Sequence, residues 1–77
     1  MTFRGLHERL IEAARERMRN GGWTERGLAM RTGISQPHIH NVLKGARFLS
    51  ARSADILLRE LGLKVEDLLG PGSGEGR

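Results

Sequence analysis

From Thr2 to Arg19 the apolar positions recur three or four residues apart, so that Phe3, Leu6, Leu10, Ala14 and Met18 form one face of a first helix. Between them Glu8, Glu12 and Glu16 alternate with Arg9, Arg15, Arg17 and Arg19, which predicts a solvated, salt-bridged outer face. Asn20-Gly21-Gly22 ends the pattern. Thr24 is suited to cap a second helix, and Trp23 before it is spaced to pack on Leu28 four residues inside. That helix turns Leu28 and Ala29 inward and stops near Thr32, where Gly33 can adopt the left-handed conformation that closes a helix cheaply.

The opening is then repeated. Ser35 caps a third helix, Ile34 is spaced to staple onto Ile39, Pro37 falls in the first turn where its missing N–H costs nothing, and Gly45 closes the helix. A fourth helix begins at Ser50, buries Ala54, Leu57, Leu58 and Leu61, and ends at Gly62. A short fifth helix over 65–69 supplies Val65, Leu68 and Leu69. No alternating strand pattern appears, and β-branched residues are sparse. The chain is therefore expected to be all-α, a compact five-helix domain over residues 1–69. The Gly- and Pro-rich stretch 70–77 reads as a disordered C-terminal tail.

At 77 residues this is one domain near the lower size limit for a self-sufficient core. The absence of cysteine excludes disulfides and thiolate-bound metal, so hydrophobic packing must hold the fold. Apolar runs are short and the first helix is mixed in charge, which predicts a cytoplasmic, nucleoid-associated protein with no membrane partner. The net charge is +4 and the isoelectric point about 11.1, both favouring a polyanionic partner. The distribution is more telling. Between Arg26 and Arg52 lie Arg31, Lys44 and Arg47 and no acidic residue.

The third helix concentrates the candidate chemistry. At about 100° per residue, Ile39, Val42 and Leu43 share a buried sector, and the opposite one holds Pro37, Asn41 and Lys44, flanked by His38 and His40, with Ser35 and Gln36 at the N-terminal end. An ordinary exposed face would carry Glu, Lys and Arg. Short side chains with directional donors and acceptors and little charge are instead base-reading groups. A Gln or Asn amide pairs with adenine, Ser and His serve groove edges, and Pro37 can rest on a thymine methyl. Two short helices joined by a Gly-containing turn let the second enter a major groove while the first braces it. The N-terminus of the bracing helix suits a phosphate oxygen.

Leu28–Ala29, Gly33, Ile34, Ser35–Gln36, Ile39, Val42 and Gly45, followed by "LLRELGLKVEDLLG", resemble the helix-turn-helix of the lambda repressor and Cro superfamily over roughly residues 6–70. The resemblance implies a bacterial or phage transcriptional regulator, most often a repressor, that binds an inverted-repeat operator in double-stranded DNA as a homodimer, with no cofactor. Carried over by position, Ser35, Gln36, Pro37 and Asn41 are base contacts, with His38, His40 and Lys44 beside them. Phosphate contacts fall to Thr24, Arg26, Arg47, Phe48 and Arg52. Glu25 stands where the family often has a Gln that touches a phosphate, so Arg26 is expected to take over. Gly27 replaces a residue that would complete a capping box. Leucines near the fifth helix outnumber what so short a helix can bury, so Leu63, Val65, Leu68 and Leu69 are candidate dimer contacts.

No paired-carboxylate, Ser–His–Asp or phosphate-loop arrangement suggests an enzyme. His38 and His40, two apart on a helix, point about 200° apart and cannot share a metal ion. The competing reading is a protein-interaction module of the same fold, antitoxin-like or adaptor. Salt-dependent binding to duplex DNA separates the two.

Overall fold

A computed structural model describes residues 2–69, so the tail expected over 70–77 lies outside the described residues. Five α-helices and no strand are found there: α1 (Phe3–Arg19), α2 (Glu25–Thr32), α3 (Gln36–Leu43), α4 (Ala51–Leu61) and α5 (Val65–Leu69). Four start at a side-chain cap. Thr2 accepts from the Gly5 N–H at 3.0 Å, Thr24 from Gly27 at 2.9 Å, Ser35 from His38 at 3.4 Å and Ser50 from Ser53 at 3.1 Å, each satisfying a donor the helix leaves unpaired. At α5 the Asp67 carboxylate reaches back to the Lys64 N–H at 2.8 Å.

Each helix contributes to one core: Leu10, Ile11 and Ala14 of α1, Leu28 of α2, Ile39 and Val42 of α3, Leu57, Leu58 and Leu61 of α4 and Leu68 of α5, with Ile34 and Leu49 from the connections. The buried stripe of α1 is rotated from the expected one. His7, Leu10, Ile11 and Ala14 point inward, Leu6 and Met18 lie at its margins, and Phe3 is 54% exposed. The adjacent pair Leu10–Ile11 forces this, because only a sector centred on both buries both. Ala54, also expected inside, packs at the edge of the core.

The basic face of α1 also departs from expectation. Arg9 donates to the Leu68 carbonyl at 2.7 Å, Arg15 through Nε to that of Leu43 at 3.0 Å, and Arg17 to that of Leu61 at 2.9 Å. These are carbonyls in the last turns of α5, α3 and α4, where the helix leaves acceptors without internal partners and a cation is favoured. Three arginines read as solvated therefore cap three other helices. Arg19 does behave as foreseen, bridging Glu12 and Glu16; its guanidinium holds both carboxyls below the usual carboxylate range, helped by Arg15 at Glu12 and by Asn20 at Glu16.

The connection between α2 and α3 is Gly33–Ser35. Gly33 takes φ +77° and its N–H donates to the Ala29 carbonyl at 2.8 Å, a left-handed closure. Thr32 reinforces the corner. It is 8% exposed, its hydroxyl donates to the Leu28 carbonyl at 2.9 Å and accepts from the Ile34 N–H at 3.2 Å, so both the helix end and the turn are tied to one buried oxygen. Ile34 and Ile39 then bury themselves on either side of the Ser35 cap. Trp23 is half-buried against the core, with the Arg17 and Arg31 guanidiniums 5.0 Å and 4.8 Å from its ring centroid.

Candidate nucleic-acid interface

With Ile39 and Val42 each 2% exposed, the rotation of α3 is fixed and its remaining side chains are sorted by geometry alone. Ser35, Gln36, Pro37, His40 and Lys44 are exposed, whereas His38 and Asn41 are half-buried. Gln36, Pro37, His40 and Asn41 line one open groove whose far wall is Glu25, the first residue of α2. Ser35 contributes its hydroxyl oxygen to the helix cap. The C-terminal end of α3 is closed by N–H donation from Lys44 to the His40 carbonyl, from Gly45 to Val42 and from Ala46 to Asn41.

At the start of α2, Thr24 and Arg26 are exposed, and the Thr24 hydroxyl serves as the cap. Glu25 is half-buried. Its carboxylate meets His40 Nδ1 at 3.1 Å and 3.3 Å, joining the first turn of α2 to the middle of α3.

The loop between α3 and α4 carries Arg47 and Phe48, both exposed, and Arg52 follows in the first turn of α4. Its shape is set from α1. The His7 imidazole, 5% exposed, accepts the Leu49 N–H at Nε2 over 3.0 Å, and it stacks on the Phe48 ring with centroids 4.4 Å apart and planes 5° apart. Burial pushes this imidazole below its ordinary value, partly opposed by the nearby Glu8 carboxylate. Since Nε2 is the acceptor, the neutral ring carries its proton on Nδ1. Arg4 lies over the outer face of this cluster, 5.9 Å from the Phe48 centroid.

Among the described residues Arg26, Lys44, Arg47 and Arg52 form no ion pair. Arg31, the remaining cation of the acid-free segment, is engaged with Glu60 at 3.9 Å and with Trp23. Near α5, Leu68 is 6% exposed inside the chain's own core and Leu63 packs partly against it, so of the candidate dimer contacts only Val65 and Leu69, 45% and 43% exposed, present substantial surface.

Three tertiary couplings around this surface escape a reading by periodicity. His7 shares the apolar register of Leu10 and Ala14, and a histidine three residues before a core leucine was its only signal. Glu25 lies beside Arg26, yet pairs with a residue of the next helix. Arg15 steadies the end of α3 from another element.

No protein-family model, curated protein or solved structure matches this chain. No helix among the described residues is long and apolar enough to cross a membrane.

Proposed function

We propose that the chain is a sequence-specific double-stranded DNA-binding protein of the lambda repressor and Cro type, acting as a transcriptional repressor. In this reading α3 enters the major groove, with Gln36, Pro37, Asn41 and Lys44 toward base edges and Ser35, His38 and His40 beside them. Arg26 and Thr24 at the start of α2, and Arg47, Phe48 and Arg52 around the next loop, meet phosphates.

The observation that carries this reading is the outward surface of α3. A helix pinned by Ile39 and Val42 presents two amides, a pyrrolidine ring and an imidazole on one open groove, next to a turn of three residues. Arg26, Arg47 and Arg52, without an ion-pair partner among the described residues, supply the sequence-independent attraction a phosphate backbone requires.

On an inverted-repeat operator the protein binds as a homodimer, with Val65 and Leu69 at the contact between copies. Light scattering with and without a palindromic duplex tests the dimer, and a strictly monomeric mass in both defeats it. Selection of bound sequences from a random duplex pool tests the whole reading. The expected result is a paired half-site at a fixed spacing; an unenriched pool would leave the protein-interaction module in its place.

A further inference from the structure

We propose that Glu25 determines base preference indirectly, by holding His40 in one orientation, with Nδ1 turned to the carboxylate and Nε2 turned outward, on the reading face of α3. This rests on the DNA-binding reading above and adds to it a residue with no assigned role in base recognition.

Both carboxylate oxygens of Glu25 lie within hydrogen-bond range of a single ring nitrogen, Nδ1 of His40, at 3.3 Å and 3.1 Å. An ionised carboxylate can only accept, so Nδ1 must carry hydrogen. An exposed imidazole on a helix would otherwise rotate and exchange tautomers, offering a base edge a mixture of donors and acceptors. Anchored at Nδ1, the ring presents Nε2 alone, in a direction set by two helices rather than by one flexible side chain.

The pairing is selective. Glu25 is bonded to a residue fifteen positions ahead, while Arg26, on another side of α2, has no ion-pair partner among the described residues. Its place is also specific, because Glu25, Gln36, Pro37, His40 and Asn41 line the same open groove. A carboxylate on a DNA-facing wall repels phosphates when bare; here the imidazole N–H covers it. Glu25 is thus a positioning residue and His40 the group that meets the base.

The test compares sequence preference in the full-length wild-type chain and in Glu25→Ala, His40→Ala, the double variant and Glu25→Gln, each selected on the same random duplex pool. Circular dichroism melts establish that every variant is folded. Glu25→Ala and His40→Ala are expected to flatten preference at the same base pair by about 5- to 10-fold, the double variant to lose no more than either single one, and Glu25→Gln, whose amide oxygen still accepts from Nδ1, to keep most of the preference. The inference is overturned if Glu25→Ala instead tightens binding to all sequences alike, as a bare repulsive charge would, or if the two changes act additively at different base pairs. Failure of the wild-type chain to select any sequence overturns the DNA-binding reading together with this one. An enriched wild-type site whose profile Glu25→Ala leaves unaltered overturns this inference alone.

Discussion

His7 and Leu49, forty-two positions apart, are joined by a hydrogen bond of 3.0 Å in which the buried imidazole accepts the backbone N–H of the loop before α4. Protonation of Nε2 would remove the acceptor and leave that N–H orphaned in the interior. Burial accordingly holds the native imidazole below its ordinary value near 6.5. As the pH falls through that value the unfolded chain takes up the proton first, so the stabilisation is complete above about pH 6.5 and declines below it. It levels off once the native ring also protonates. Thermal midpoints measured between about pH 8 and pH 5 should fall more steeply for the wild type than for His7→Ala. Identical slopes would show that His7 does not govern this loss.

The same bond sets the loop that carries Arg47 and Phe48, so acid should act on that loop before it acts on α3. Protection of the Leu49 amide and its neighbours against hydrogen exchange, taken relative to the intrinsic rate at each pH, is expected to fall on acidification below the ordinary histidine range while that of Ile39 and Val42 is kept. A uniform loss of protection across both segments would mean that the loop has no independent response.

Arg15 caps the Leu43 carbonyl with a charged donor, and the carbonyl has no helical partner to replace it. Arg15→Met, which keeps the apolar stem, should lower unfolding free energy by roughly 1–2 kcal/mol in urea titrations. A change within error would indicate that water substitutes fully for the guanidinium.

Thr32 is buried and serves both as donor to Leu28 and as acceptor for Ile34. The isosteric change Thr32→Val keeps the packing but strands the Ile34 N–H, a loss on the order of 1–3 kcal/mol in the same measurement. Since this corner fixes the angle between α2 and α3, DNA affinity should fall along with stability.

How much of this was legible in the sequence follows from the range of each interaction. Thr24, Ser35 and Ser50 as caps, Gly33 and Gly62 as closures, and the buried pair Ile39–Val42 all depend on neighbours within one or two helical turns, and local spacing records such relationships directly. Periodicity identifies a face but not what meets it. Arg9, Arg15 and Arg17 lie on a charged face that looks solvated until α5, α3 and α4 bring their carbonyl ends against it. The couplings of His7 to Leu49 and of Glu25 to His40 are likewise tertiary, and Leu68 went inward because α5 docks on α1.

On the α3 surface proposed to read DNA, roles are expected to separate by chemistry. Gln36→Ala and Asn41→Ala should each cost on the order of 1–3 kcal/mol at particular base pairs of the selected site, with little effect on random DNA. Arg47→Ala should weaken every sequence alike. Equal losses on cognate and random duplexes from all three changes would contradict the division.

The most direct measurement is the affinity for a random-sequence duplex as a function of salt concentration. Engagement of Arg26, Arg47 and Arg52 with phosphates gives a slope of log K against log salt of roughly −3, at about 0.9 per phosphate neutralised. Negligible binding at low salt, or a slope near zero, would contradict the claim that this helical surface meets DNA.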